Sequence, residues 1–377
     1  MAGRKAGQAP GTLRLPILMA APRPASCSAV RHLRPAIAAM AGYTPGEQVL
    51  DCIKLNTNES ARPPGPKVME ALQAITADRL RLYPDPRATE LRRVAAATYG
   101  VTPEQILAGN GSDDCLTILY RAFLAPGDRV AAPWPTYGLY DDLATLQGAE
   151  MIHVDWRFAA DGWHLPEALA TVGAKLVLLA NPNNPSGTLV PVADLRRLAE
   201  RLDGILVVDE AYVDFAPEGS SFLPFLDAHP NVVVLRTFSK SYSLAGGRLG
   251  LLFAHPDLVA HLTKVKDSYN VNHVTQRLGI AALQDAAWLD ALVAGTVAER
   301  KRLETLVASH GWTWVPTAAN FLLCEVGPRA EAIYLALKER RLLVRWWNKP
   351  LLNTKLRITV GTPEQTDRLA AELKSIV

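Results

Sequence analysis

What most constrains the fold of this chain is a series of apolar segments too short for helices and bounded by turn-forming residues. Arg129–Ala132, Met151–Val154, Leu176–Ala180, Ile205–Val208, Val232–Arg236 and Leu249–Phe253 are each four or five residues long. Apolar runs of that length, without polar alternation, suit strands covered on both faces. Stretches with helical apolar spacing separate them, and two more precede them at Lys67–Ala77 and Ala88–Tyr99. Ile106–Asn110 reads as a further short strand entering a Gly-Ser turn, with a helix following through Leu116–Phe123. This alternation predicts an α/β fold whose mostly parallel sheet is covered by helices on both faces. Open sheets of this kind bind ligands in the crevice at the carboxyl ends of their strands. The polar residues just after each run therefore carry the functional information.

The segment from Pro256 to about His310 reads as helical and as the passage into a smaller α+β domain. There Phe321–Glu325, Leu342–Trp346 and Leu356–Val360 read as strands, with a last helix from Pro363. The expected division is a basic, disordered extension over 1–29, an N-terminal arm over 30–55, a large domain over 56–265 and a small domain over 266–377. No Asp or Glu occurs before Glu47, while Arg4, Lys5, Arg14, Arg23, Arg31 and Arg34 do. Three readings fit that segment: a tail, a start placed too early with Met19 or Met40 as the true one, and a transit peptide. A formal charge of +3 over 377 residues gives no footprint for nucleic acid. The four cysteines (Cys27, Cys52, Cys115, Cys324) form no CxxC and stand near no paired histidines, so neither a metal site nor a disulfide framework is expected. With no run of about 18 apolar residues, no membrane span is expected either. The chain reads as cytoplasmic.

Four segments carry chemistry. Between Thr237 and Arg248, Lys240 lies among Thr237, Ser239, Ser241 and Ser243, and Gly246, Gly247 and Arg248 follow. Hydroxyls, a Gly-rich turn and a bidentate cation suit a phosphate monoester. A lysine with a depressed pKa suits a Schiff base; the plainer reading is an exposed loop lysine. Asp209 ends the run Ile205–Val208, with Tyr212 three residues on. A carboxylate there could pair with a protonated ring nitrogen or simply cap the next helix. Asn181-Pro-Asn-Asn-Pro-Ser-Gly187 is a rigid turn that could hold an amide toward a ligand, or only connect two elements. Gly109-Asn-Gly-Ser-Asp-Asp114 leads into a helix N-terminus, which is either a phosphate site or an ordinary capped loop.

In this order and spacing, the four segments resemble the fold-type I pyridoxal-phosphate (PLP) aminotransferases of the class I/II family, most of all the histidinol-phosphate aminotransferase branch. The likeness runs from about Val30 to Val377. It implies a PLP enzyme in which Lys240 forms the Schiff base and shuttles the proton, and Asp209 pairs with the pyridinium nitrogen. Asn184 and Tyr212 would hydrogen-bond the ring's phenolic oxygen, and Tyr137 would stack on the ring. Arg248, Ser239 and Thr237, with the backbone N–H groups of Ser112 and Asp113, would hold the phosphate. Tyr83 matches a tyrosine that such homodimers send into the neighbouring subunit's site. Arg357 matches the arginine that clamps a substrate carboxylate or phosphate.

Gly42–Glu47, Leu55–Glu59 and Leu343–Arg345 carry the likeness to the branch, in which Tyr43 and Arg345 help bind the substrate phosphate and Asn58 lies on the substrate side. Two departures stand at the expected mouth of the site. The run Asn58-Glu-Ser-Ala61 replaces the usual Asn-Glu-Asn-Pro, and Trp346-Trp347 follows Arg345 where a smaller or single aromatic is usual. The implied reaction is transamination between L-histidinol phosphate and 2-oxoglutarate. An aromatic amino-acid aminotransferase or a PLP-dependent phospho-amino-acid decarboxylase would share every cofactor residue. A PLP-sensing regulator would need a DNA-binding extension, and the first 46 residues are too short and Pro-rich for one. The partners implied are an amino donor and a 2-oxo acid, with no nucleic acid and no membrane.

Overall fold

A seven-stranded sheet organises the computed structural model, which describes residues 28–42 and 45–377. In spatial order its strands are Ile106–Gly109, Gly250–Phe253, Val232–Thr237, Ile205–Asp209, Leu176–Ala180, Arg129–Trp134 and Glu150–Asp155. The four pairings from Val232–Thr237 to Glu150–Asp155 are parallel. Gly250–Phe253 runs antiparallel to both of its neighbours. The central strands are sealed: Leu176 through Leu179 and Val232 through Leu235 are 0% exposed. That is why they show in sequence as unbroken apolar runs. Two apolar cores lie on the two faces, and alternate side chains of one strand enter each. Val177 and Leu179 belong to one, Leu176 and Leu178 to the other.

The expectation of burial on both faces fails for Met151–Val154. The strand Glu150–Asp155 is the sheet's edge and keeps no fully buried position, since nothing pairs with its outer side. The segment 256–310 is three helices, Pro256–Leu262, His273–Leu283 and Ala286–Ser309, rather than one stretch. Among the described residues no single helix is long and apolar enough to cross a membrane.

A three-stranded antiparallel sheet combines Thr313–Trp314, Phe321–Glu325 and Lys355–Thr359. The expected strand Leu342–Trp346 is reduced to Leu342–Leu343, which pairs in parallel with Ile53–Lys54, and to one isolated bridge between Arg345 and Arg357. The chain just after Ile53–Lys54 is drawn in by Leu55 N–H donating to Leu343 O and by Thr359 N–H donating to Leu55 O. Residues Asn56–Glu59 thereby reach the carboxyl ends of the large sheet. Residues 28–39 belong to a separate unit, with a 3-10 turn Ser28–His32 and the short helix Pro35–Ala39.

Candidate active site

Five parallel strands end at one cavity of about 830 Å³. Ser112 and Asp113 come after Ile106–Gly109, and Trp134, Thr136 and Tyr137 from the end of Arg129–Trp134. Ala180 and Asn184 follow from Leu176–Ala180, Asp209 and Tyr212 from Ile205–Asp209, and Thr237, Ser239 and Lys240 from Val232–Thr237. The opposite wall carries Asn56, Asn58, Arg345, Trp347 and Arg357.

Lys240 reaches into this cavity and donates from Nζ to the Thr57 carbonyl at 3.1 Å, with the Tyr212 ring 5.7 Å away. Burial, and next the positive charge of Arg357, push its pKa down to about 8. Asp209 is 5% exposed. Burial pushes its carboxyl up to about 6, against a hydrogen bond from Tyr140 Oη to Oδ2 at 3.0 Å that favours the ionised form. The other charges that weigh most on Asp209, those of Asp113 and Glu210, are negative. A cationic group brought against Asp209 would therefore restore its charge.

The helix Ser112–Phe123 opens at the cavity from Gly111, whose φ is +88°. A side chain at Gly111 would meet the Arg248 guanidinium at 2.5 Å, and one at Gly250 would meet Ser112 N at 2.3 Å. Two bare glycines thus bring the arginine, the helix N-terminus and the neighbouring strand together. Arg248 Nη2 donates to Asp113 Oδ2 at 3.1 Å, and Tyr137 Oη donates to Asp113 Oδ1 at 3.2 Å. Thr237 Oγ1 donates to Ser239 Oγ at 3.0 Å and accepts from Ser239 N–H at 3.2 Å. Arginine, hydroxyls and helix N–H groups make a donor set for a phosphate.

In the Asn-Pro run, Asn181 exchanges hydrogen bonds with the Val190 backbone. Asn183 joins Pro135 O, Ser186 and Thr136. Both are spent on the turn itself. Asn184 faces the cavity, where Oδ1 accepts from Arg357 Nη1 and Nδ2 lies 3.5 Å from Tyr212 Oη. Asn58 Nδ2 donates to Tyr212 Oη at 3.0 Å, and Thr359 Oγ1 donates to Asn58 Oδ1 at 3.0 Å. Arg357 Nη2 donates to the Asn56 carbonyl at 2.7 Å.

Of the residues expected from sequence, Tyr83 is not brought to the cavity of its own chain. It is 80% exposed and stacks on Tyr269, with ring centroids 4.4 Å apart. Tyr43 lies outside the described residues. Tyr140 was not singled out from sequence, whereas Asn56, Thr57, Gly111, Gly250 and Trp347 stood in the runs named there without a role of their own. The sequence signal for Tyr140 was its place one turn beyond Tyr137, and in the structure the two rings meet edge-on with centroids 5.6 Å apart.

PLP presents an aldehyde, a basic ring nitrogen, a flat ring and a phosphate. The residues present fit each in turn: a lysine of lowered pKa, a buried carboxyl short of positive charge, the Tyr137 ring, and the cradle at Gly111, Ser112 and Arg248.

Residues 50–373 match the family described as aminotransferase class I and II. The chain is 42% identical over 351 residues to histidinol-phosphate aminotransferase 1 of a Nostoc species, covering 92% of this chain and 98% of that one. It is 43% identical over 341 residues to the histidinol-phosphate aminotransferase of Rhodopirellula baltica, covering 89% and 92%. Among solved structures, histidinol-phosphate aminotransferase from Sinorhizobium meliloti in complex with pyridoxal-5'-phosphate is similar with a TM-score of 0.84. That likeness is at 29% identity and spans 93% of this chain and 98% of that one.

Proposed function

This chain belongs to the class I and II aminotransferase family, and on that premise we propose that it moves the amino group of L-histidinol phosphate to 2-oxoglutarate. It is a PLP-dependent transaminase. Bound PLP supplies an aldehyde that carries the amino group between substrates and a pyridinium that takes up the electrons left at the substrate Cα. Lys240 would hold the aldehyde carbon and, once released, its Nζ would take the proton from the substrate Cα. A pKa near 8 leaves enough of it neutral for that work around physiological pH. Asp209 would keep the proton on the ring nitrogen. Tyr137 would stack on the ring, and Asn184 and Tyr212 would donate to its phenolic oxygen. Arg248, Thr237, Ser239 and the N–H groups of Ser112 and Asp113 would hold the phosphate.

The observation that carries the substrate reading is the pair Arg345 and Arg357, which exchange backbone hydrogen bonds at 3.0 and 2.9 Å on the wall facing Lys240. Histidinol phosphate brings a phosphate and no carboxylate, while glutamate brings two carboxylates and no phosphate. A guanidinium fork serves both anions. Arg357 would bind either, with Arg345, Tyr43 and Asn58 on the donor side. The name shared by the relatives supports the same substrate. A homodimer with shared sites fits the exposed Tyr83, and the free thiols Cys52, Cys115 and Cys324 fit a reducing cytoplasm.

The test is a half-reaction screen. The absorbance of the enzyme-bound cofactor is followed as histidinol phosphate, histidine, phenylalanine, tyrosine and phosphothreonine are added in turn. Histidinol phosphate should convert fastest at low concentration. An order-of-magnitude preference for phenylalanine or tyrosine would replace this reading with an aromatic aminotransferase.

A further inference from the structure

Asn58 is 1% exposed and has a φ of +56°. Left-handed backbone disfavours most side chains, though asparagine tolerates it better than others. A buried example persists where its surroundings hold it. Here each polar group of the residue is held by a partner far along the chain. Asn58 N–H donates to Thr359 Oγ1 at 3.1 Å, and the Asn58 carbonyl accepts from Asn320 Nδ2 at 3.2 Å. Both partners are 2% exposed. Thr359 ends the strand Lys355–Thr359 and is paired with Phe321, the residue after Asn320.

The same contacts decide which way the amide points. Thr359 Oγ1 accepts from the Asn58 N–H, so its own proton goes to Asn58 Oδ1, 3.0 Å away. The Nδ2 end is thereby left toward Tyr212, where it donates to Oη at 3.0 Å. Asn184 Nδ2 lies 3.5 Å from the same oxygen. A phenolic oxygen that receives N–H donors turns its own proton elsewhere. Burial pushes the Tyr212 phenol up, so that proton is kept. Among the described residues no acceptor takes it, and Tyr212 lines the cavity that Lys240 enters.

We infer that Thr359 is a positioning residue that acts through Asn58: by fixing both its backbone and its amide, it turns the Tyr212 hydroxyl proton toward the cofactor's phenolic oxygen. Asn320 supports the same backbone from the carbonyl side. The inference rests on the reading above in which Tyr212 donates to that oxygen. The second N–H of the Asn58 amide stays available to the amino donor, so the two roles of Asn58 are compatible.

The experiment titrates holoenzyme without substrate and reads the pH midpoint of the bound cofactor's absorbance change. Once the nitrogen joining Lys240 to the cofactor loses its proton, the charge on the phenolic oxygen depends on outside donors. A donated hydrogen bond favours that form, so its loss raises the midpoint. T359V and N58G should each raise it by roughly half a unit to one unit, the effect of a single hydrogen bond. T359S keeps the hydroxyl and should hold the wild-type midpoint. N58G keeps the left-handed turn without strain and loses the amide. Y212F should raise the midpoint at least as far, and adding T359V or N58G to Y212F should shift it no further. Urea unfolding of the cofactor-free proteins reports the fold separately, and N58G decides if T359V takes up no cofactor. With Y212F shifted, the inference alone is overturned by an unshifted T359V or N58G, by a T359S as shifted as T359V, or by shifts that add to that of Y212F. An unshifted Y212F would overturn the donation from Tyr212, and the inference with it.

Discussion

Asp209 is a carboxyl held among apolar strands with Asp113 and Glu210 as its most influential charged neighbours. Its folded pKa, near 6, lies above the ordinary value of 3.8. Between those two values the folded cofactor-free protein binds a proton that the unfolded chain has released. Asp209 therefore contributes less stability as pH rises through that window, by up to about 3 kcal/mol. Asp209→Asn does not titrate. In cofactor-free protein the stability advantage of Asp209→Asn over wild type should grow from about pH 4 to about pH 6.5 and then level off. Urea unfolding at several pH values measures it, and a difference that stays flat would return Asp209 to an ordinary capping residue. Tyr140→Phe removes a donor that favours the ionised form, so in that variant the upper end of the window should rise while the lower end, set by the unfolded chain, stays in place. At this scale the sequence was informative where a residue stood in a contiguous run, as Lys240 and Asp209 do. The family likeness named Asn184 among the three asparagines of the Asn-Pro run, but the run by itself could not, because Asn181 and Asn183 are consumed by partners that only the folded turn supplies. The pair Trp346-Trp347 was visible at the mouth of the site, but not that Trp347 is the one that enters it, beside Arg357, ten residues on and brought near by strand pairing.

Between elements, a buried ionic network ties the lysine-bearing segment to the sheet. Arg236 donates to Glu210 Oε2 at 3.1 Å and to Asp214 Oδ1 at 2.7 Å, and Ser241 Oγ donates to Asp214. Glu210 is 2% exposed and also accepts from Ser221 Oγ and Phe222 N–H. Removing one partner of such a set leaves buried charge uncompensated and costs about 3–5 kcal/mol. Arg236→Met should lower the urea midpoint accordingly and reduce cofactor occupancy, since Ser241 follows Lys240 directly. The double variant Arg236→Met with Glu210→Gln should be more stable than Arg236→Met alone; additive losses would mean that the pair is not coupled. None of this network was legible beforehand, because its members come from the ends of different strands. The strands themselves were legible, since burial on both faces leaves an apolar run. The edge strand Glu150–Asp155 was misjudged because Met151, Ile152 and Val154 give it the same composition without a neighbour on its outer side. The hairpin of Arg157–Ala159 with Gly162–His164 passed unnoticed, since none of its residues is buried and it carries no apolar period. The two-residue pairing of Ile53–Lys54 with Leu342–Leu343 is tertiary by origin, its partners lying at opposite ends of the chain.

For the whole molecule, the decisive question is whether one chain completes its own site. The family likeness implies that Tyr83 enters the neighbouring subunit's site, and here it stands 80% exposed beside the exposed Leu80 and Leu82 and stacked on Tyr269. A monomer gains nothing from large apolar side chains held so openly, whereas a twofold partner would cover them. If the tyrosine of each subunit serves the other's cofactor, two defects in different chains should complement. Lys240→Ala chains keep Tyr83, and Tyr83→Ala chains keep Lys240. In a mixed dimer one site receives both good residues and the other receives neither. Random re-association of equal amounts makes half of the dimers mixed, so about a quarter of all sites should be intact. The mixture should therefore recover about a quarter of wild-type activity, against near zero for Lys240→Ala alone. Tyr83→Ala alone retains what residual activity a site without that hydroxyl can show, and the mixture must exceed the average of the two parents. Mixed dimers that form, as judged by native mass spectrometry of differently tagged chains, yet show only that average would place Tyr83 in its own chain's surface and remove the case for a shared site.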